Sequence, residues 1–233
     1  MTGFHPNIIP IKTAYVNSYL FKNGENSLLL DSGIQKSGKI VLEAIRENGL
    51  RLKDIRLIIL THPHYDHCMG ARAIQAATGA GILVHKDGEA DYRRGRRRLP
   101  RGTNFLINAW VSMGRIFMPW LANFPAIEPD IVIDTSFSLN EYGIDGEILC
   151  TPGHTKGSIT VIIEGKHAIV GDTVVGHTRT PYPPFADDPR QLIASWKLLL
   201  DKGIDYIYPG HGAPYRVEKL QAEFEKRSGQ FSV

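Results

Sequence analysis

An apolar run, Leu57-Ile58-Ile59-Leu60, passes without a break into Thr61-His62-Pro63-His64-Tyr65-Asp66-His67. No other feature limits the fold of this chain as strongly. A short apolar run that ends in polar residues reads as a buried strand. Three imidazoles and a carboxylate are therefore delivered, within six residues, to the rim of a sheet. Alternate side chains of an extended backbone share a face, so His62 and His64 can converge on one ion. Asp66 and His67 follow the bend, at the start of the next helix, and can reach a second ion nearby. Imidazole nitrogen and carboxylate oxygen are the donors Zn²⁺ takes when no thiolate is offered. One such histidine would read as a surface residue; the cluster reads as a metal site.

Three further motifs stand in the same relation to a strand. Pro152-Gly153-His154-Thr155 follows the apolar segment Glu147 to Thr151, Gly171-Asp172-Thr173 follows His167 to Val170, and Pro209-Gly210-His211-Gly212 follows Asp205 to Tyr208. Each places a potential ligand where a strand has just ended, and the glycines permit turns that aim it inward. Five of the nine histidines lie in these four motifs. His5, His85, His167 and His177 read as ordinary surface or strand residues.

The rest of the chain supplies a frame. Ala14 to Phe21 and Ser27 to Asp31 read as strands joined at Asn23-Gly24, a hairpin signal. Gln35 to Asn48 carries helical spacing and stops at Gly49. Gly70 to Thr78 reads as a short helix and Gly81 to His85 as a strand. Strand patterns return at Ile131 to Asp134, Ser136 to Leu139 and Ser158 to Glu164. Helices are expected over Asp188 to Lys202 and Val217 to Lys226. Two blocks that each run from strands into helices predict two sheets packed face to face with helices outside. A single domain over 1–233, interrupted by an insertion at about 87–128, is the economical organisation.

Hydrophobic content of 42% and charged content of 22% are those of a soluble globular protein. A net charge of +3 is low for a nucleic-acid reader. The two cysteines, Cys68 and Cys150, make no disulfide framework, and Cys68 reads as a small buried residue at a helix start. The first dozen residues lack a secretory pattern, and no run reaches the ~20 apolar residues of a membrane span. The expected location is the cytoplasm.

Taken together, His-x-His-x-Asp-His, Pro-Gly-His, Gly-Asp and Pro-Gly-His resemble the metallo-β-lactamase superfamily of metallohydrolases, with Asp31 in Leu-Leu-Leu-Asp-Ser-Gly matching its first motif. The resemblance implies an α/β fold, the four-layer αββα sandwich, with the site at one edge of the two sheets. It implies two divalent ions, Zn²⁺ first and Fe or Mn as alternatives. By motif position His62, His64 and His154 would hold one ion, Asp66, His67 and His211 the other, and Asp172 would bridge them. Asp31 would hold a ligand in place from behind. Two such ions can share a water and lower its pKa to about 7; the hydroxide attacks an acyl centre and Asp66 orients it. The expected reaction is hydrolysis of a small ester, thioester, lactone or related acyl compound.

The bridging aspartate points to the glyoxalase II, lactonase and general-hydrolase branches rather than to true β-lactamases. The chain ends shortly after His211, without the helical domain of glyoxalase II, which argues against glutathione thioesters. Lactonases of quorum signals place a tyrosine where Val175 stands. A persulfide-dioxygenase-like enzyme with one iron is the main alternative, and a nuclease or phosphodiesterase a weaker one. Residues 87–128 are the expected determinant of specificity, as a lid over the metals or a homodimer contact, with a membrane-surface role a weaker option. They hold the run Arg93 to Arg98, read as a solvated face or a site for an anionic group, and then an aromatic-rich stretch. Gly176 to Ala186 should form the opposite wall, with Arg179, Tyr182 and Phe185 touching substrate.

Overall fold

Leu28, Leu30, Leu57 and Ile59 pack into one hydrophobic cluster, while Leu29 and Ile58, between them in sequence, pack into another. Both faces of these strands are buried, which is why they read as unbroken apolar runs rather than as alternating ones. The computed structural model describes residues 3–34, 36–97, 99–103, 105–176 and 179–231, without the side chains of Trp110, Arg115, Ile116, Trp120, Leu121 and Phe231. Gln35, Arg98, Asn104 and His177, each part of an expectation above, lie outside the described residues.

The first sheet has the order β1 (Ile8–Thr13), β2 (Val16–Phe21), β3 (Ser27–Leu30), β4 (Ile55–Ile59), β5 (Gly81–His85) and β6 (Ile131–Ile133). The first three are antiparallel and the rest parallel. The second sheet runs from β7 (Phe137–Ser138) through β8 (Gly146–Cys150), β9 (Ile159–Ile163), β10 (His167–Gly171) and β11 (Tyr206–Pro209) to β12 (Tyr215–Arg216). Only the β10–β11 pair in it is parallel.

Three apolar clusters define four layers. The central one joins the sheets, with Leu57 and Ile59 from one and Ile148, Val161 and Ile169 from the other. A second lies between the first sheet and the helices α1 (Ser37–Glu47), α2 (Tyr65–Cys68) and α3 (Ala71–Thr78), through Val41, Ile45, Cys68 and Ile74. After these come α4 (Lys86–Arg94) and α5 (Phe105–Phe117). The third cluster joins the second sheet to α6 (Pro189–Asp201) and α7 (Glu218–Phe231) through Leu192, Trp196, Leu199 and Leu220. Trp196 is fully buried and its indole N–H donates to the Thr173 carbonyl at 2.8 Å, which ties α6 to the Gly-Asp turn. The expected αββα sandwich is therefore present.

Four elements differ from the sequence reading. β1 precedes the expected hairpin; it sits on a sheet edge, where Pro10 costs no ladder bond. α4 occupies the start of the region where patterning lapsed, and α5 crosses the aromatic stretch. β12 spans only two residues, too short to leave a period in the sequence.

The strands that carry the four motifs end at the same rim. Two main-chain bonds clamp the sheets there: Ile159 N–H to Thr61 O at 3.0 Å and Asn17 N–H to Gly210 O at 2.7 Å. Loops beyond strand ends are where α/β sheets place ligands.

Candidate metal centre

Residues up to 149 positions apart in sequence meet at this rim. His62, His64, His154 and Asp172 offer donor atoms that all lie within 4.8 Å of one another; Asp66, His67 and His211 form a second such group. Asp172 stands between the two. Its Oδ2 is 3.3 Å from His211 Nε2, 3.7 Å from His154 Nε2 and 4.0 Å from His62 Nε2, and its Oδ1 is 3.3 Å from His67 Nε2.

The outer nitrogen of most of these rings is fixed by its partner, and this decides the tautomer. His154 Nδ1 faces the Phe185 carbonyl at 2.9 Å and His211 Nδ1 the Tyr15 carbonyl at 3.0 Å. A carbonyl only accepts, so both Nδ1 atoms carry hydrogen and both Nε2 atoms, the ones open to a metal, face inward. His67 Nδ1 lies 2.8 Å from Asp31 Oδ2 and donates to it. Thr61 spends its hydroxyl hydrogen on the same oxygen at 2.8 Å, so His62 Nδ1, 3.0 Å from Thr61 Oγ1, must be the donor there. His64 is turned the other way. Its Nδ1 faces His154 Nε2 at 3.0 Å, and its Nε2 is buried without a hydrogen-bond partner among the described residues.

The inward atoms fit a cation. His62 Nε2, His67 Nε2 and Asp172 Oδ1 are buried and make no hydrogen bond among the described residues. Buried polar atoms are rarely left so, and lone pairs converging from neutral imidazole and carboxylate are what a divalent metal takes. Burial pushes His62 and His64 well below the usual imidazole range, aided by neighbouring rings, and lowers His154. These three stay neutral and ready to ligate. At His67 and His211 burial acts in the same direction, but Asp172, with Asp31 and Asp66, outweighs it. His67 is raised well above its usual range and His211 up to about 10. Burial would raise the Asp172 carboxyl, but His211 and His67 hold it well below the carboxylate range. Without metal, protons on His67 and His211 face the Asp172 carboxylate.

Two glycines make room. A Cβ on Gly210 would come within 2.6 Å of both Asp172 Oδ1 and His67 Cε1, inside the centre itself. Gly171 has φ +52°, and a Cβ there would meet Thr61 Oγ1 at 2.5 Å. Residues 12–211 match the Metallo-beta-lactamase superfamily.

The chain belongs to that superfamily.

It is 33% identical over 200 residues to a probable metallo-hydrolase of Methanocaldococcus jannaschii, covering 84% of this chain and 87% of that one. It is 30% identical over 231 residues to the hydroxyacylglutathione hydrolase GloC of Haemophilus influenzae, covering 96% of each. A metallo-beta-lactamase family protein of Thermus thermophilus superposes with a TM-score of 0.68 at 20% identity, over 97% of this chain and 78% of that one. The subclass B3 metallo-beta-lactamase BJP-1 of Bradyrhizobium japonicum gives 0.68 at 20%, over 97% and 89%. The solved structures bear on the fold. With the sequence matches, they make this chain a metallohydrolase that takes divalent metal.

A cavity opens beside the His/Asp cluster of this superfamily member. It measures about 480 Å³ and reaches from His64, Asp66, His154, Asp172 and His211 to Leu99, Val111, Phe117 and Met118 of the insertion. Phe185 lines it, as does Val175. Arg179 and Tyr182 do not. Arg179 is exposed, and the Tyr182 ring is occupied by Trp196 at 5.9 Å and by the Arg227 guanidinium at 3.8 Å. The insertion is stitched to the opposite wall by Thr103 N–H to Pro184 O at 2.9 Å and Ala186 N–H to Arg101 O at 3.0 Å. The rest of it packs on the first sheet through Tyr92, Phe124 and Ile127. No helix among the described residues is long and apolar enough to cross a membrane.

The arginine run divides. Arg93 pairs with Glu89 at 2.9 Å and with Glu128, on the outside. Arg97 turns inward between Asp91 at 2.8 Å and Asp187, close enough to His64 to help keep that ring uncharged. Cys68 is fully buried and its thiol donates to the His64 carbonyl. Four residues of the site carry no role in the sequence reading: Asn17 and Tyr15 lie outside the four motifs, and Thr61 and Tyr65 stand beside the histidines and carboxylate of the first. Asn17 Nδ2 donates to Pro209 O at 3.0 Å and Gly212 O at 2.7 Å, holding the last motif in place. Thr61 orients His62. Tyr15 stacks on His211 at 5.9 Å, and its hydroxyl is bonded to that of Tyr65 at the cavity wall. A buried Asn inside an apolar strand was the one signal available, at Asn17.

Proposed function

We propose that this chain is a dinuclear hydrolase, with zinc as its metal, that cleaves a carboxylic ester, thioester or lactone. His62, His64 and His154 would hold one ion, Asp66, His67 and His211 the other, and Asp172 both. The observation that carries the reading is the position of Asp172, within 4.0 Å of imidazole nitrogens from both groups. A mononuclear site would not need the second set of three donors.

Two bound ions supply Lewis acidity, for ionising water and for polarising the acyl carbonyl. The chain's own groups do the rest. Asp66 lines the cavity and accepts a hydrogen bond from the attacking water, which fixes the direction of its lone pair. Asp31, Thr61, Phe185 O and Tyr15 O hold four imidazoles in the ligating tautomer. Of the two hydroxyl hydrogens on Tyr15 and Tyr65, one is spent between them. The other is left to donate to the oxygen on which charge develops. The relative named hydroxyacylglutathione hydrolase matches this chain over 96% of the length of each, so chain length alone does not separate glutathione thioesters from other acyl substrates.

Elemental analysis of protein purified without added metal, combined with a panel of esters, thioesters, lactones, phosphoesters and β-lactams, tests the reading. About two zinc ions per chain and acyl hydrolysis are expected. One iron per chain with oxygen uptake on a persulfide would overturn it.

A further inference from the structure

We infer that the cavity beside the centre binds a hydrocarbon chain of the substrate, so that the enzyme acts on esters or thioesters carrying such a chain. This rests on the hydrolase reading above and assigns its substrate class.

The cavity has two unlike ends. Among the described lining residues the ionisable ones are those of the centre together with Tyr15 and Tyr65. Away from the centre the wall is apolar: Leu99, Val111, Gly114, Phe117, Met118 and Phe185. No lysine or arginine is among the described lining residues, although the insertion that builds this wall is the most basic part of the chain. A glutathionyl or nucleotide handle brings carboxylates or phosphates, and among the described lining residues away from the centre none offers these a charged partner. Such a wall gains from hydrocarbon instead. The volume of about 480 Å³ is far more than a lactoyl or acetyl group fills.

The apolar wall is also a built feature. It comes from α5 and the segment before it, fastened by the Thr103–Pro184 and Arg101–Ala186 bonds to the loop that carries Phe185. That same Phe185 fixes His154 through its carbonyl. One residue therefore both contacts the chain of the substrate and orients a ligand of the centre. Reaction balance is that of ordinary hydrolysis. Water adds its oxygen to the carbonyl carbon, the bond to the alkoxide or thiolate breaks, and the leaving group takes the proton.

The test uses zinc-loaded protein. Two series are compared: p-nitrophenyl esters from acetyl to dodecanoyl, and acetates of alcohols from ethyl to dodecyl. S-lactoylglutathione serves as the polar control. In one series kcat/KM should climb by about fourfold per added methylene until the cavity is full; which series climbs says whether the chain is on the acyl or the alcohol side. Gly114→Leu builds into this space. Among the described residues a Cβ at 114 meets Leu99 Cδ1 alone, at 3.9 Å, an ordinary contact. The variant should shift the optimum to shorter chains and weaken saturable binding of 1-decanol by about tenfold or more. The decanol titration reads the cavity without hydrolysis. If both series are flat while acetate or lactoylglutathione is cleaved, the hydrocarbon site is overturned and the hydrolase reading stands. If decanol binds and Gly114→Leu weakens it, yet no acyl compound is cleaved, the hydrolase reading fails and the site remains.

Discussion

Asp31 holds His67 from the side opposite the centre: its Oδ2 lies 2.8 Å from His67 Nδ1, and its Oδ1 accepts the Thr61 N–H at 2.8 Å. The residue sits at φ +58°, a left-handed backbone just past β3, which turns the carboxylate under the metal-cluster loop. One carboxylate thus sets the tautomer of His67 and, through Thr61, that of His62.

Asp31→Asn should uncouple metal affinity from folding. The amide nitrogen must face either the Thr61 N–H or the His67 Nδ1–H, so one donor of the loop loses its acceptor, and either way the neutral amide holds the His67 ring less firmly than the carboxylate does. Loss of such an orienting partner costs about tenfold to a hundredfold in metal affinity. Competition with a zinc chelator measures the loss, and circular dichroism should show the fold intact. Unchanged zinc affinity would remove Asp31 from this role.

Gly210→Ala should do the reverse of a distant change. The added methyl lies 2.6 Å from Asp172 Oδ1 and His67 Cε1, so the loop must shift or the centre must open. Overpacking of this kind costs about 1–3 kcal/mol. Metal content should fall well below that of the parent protein, with a lower Tm read by calorimetry.

Much of this centre was legible because each ligand is local to a strand end. His62, His64, Asp66 and His67 share one strand exit, and His154, Asp172 and His211 each follow a short segment that reads as a strand. What places them is long-range and left no local mark. Asn17 and Thr61 act on residues far away in the chain or through one hydroxyl, and neither type is unusual at a strand. The insertion was harder for a different reason. α4 is strongly polar, so its helical face is carried by Tyr92 and little else. Arg97 and Arg93 are near neighbours in one basic run, yet Asp187 draws the first inward and Glu128 keeps the second outside. Partners chosen by tertiary structure, not spacing, decide which charge is structural. Tyr182 shows the same limit: its ring is claimed by Trp196 and Arg227 rather than by the cavity.

Metal uptake should expel protons. In the metal-free chain His67 is raised well above its usual range and His211 to about 10, so both carry protons at neutral pH. A cation needs the lone pairs, and acid therefore competes with it. Because these folded-state values are raised, protons must be removed at about pH 7, and affinity rises with pH by about tenfold per unit for each proton displaced. The dependence at His211 fades as pH nears 10, where the ring loses its proton unaided. Zinc titrations by calorimetry in buffers of different ionisation enthalpy count the protons. A count of zero at neutral pH would mean that these imidazoles are already uncharged.

Tyr65 offers a last separation, between holding metal and using it. Its hydroxyl is bonded to Tyr15, and both rings line the cavity beside Asp66. The Tyr65 side chain orients none of the ligand imidazoles through the contacts described above, whereas Tyr15 holds His211 through its carbonyl, which a side-chain change leaves in place. Burial, with the bond to Tyr15, raises the Tyr65 hydroxyl above the usual phenol range, so it keeps its proton across the working pH range and can turn that hydrogen to the substrate when Tyr15 supplies the one between them. Tyr65→Phe should therefore keep the full metal complement while kcat falls on the order of a hundredfold, the usual loss when one donor to a developing oxyanion is removed. KM should change little, because the donor matters most when charge has formed. Tyr15→Phe should cost less, since Tyr15 is 54% exposed and water can replace its hydroxyl. If Tyr65→Phe instead raised KM with kcat intact, the hydroxyl would be positioning substrate in its ground state rather than stabilising the transition state.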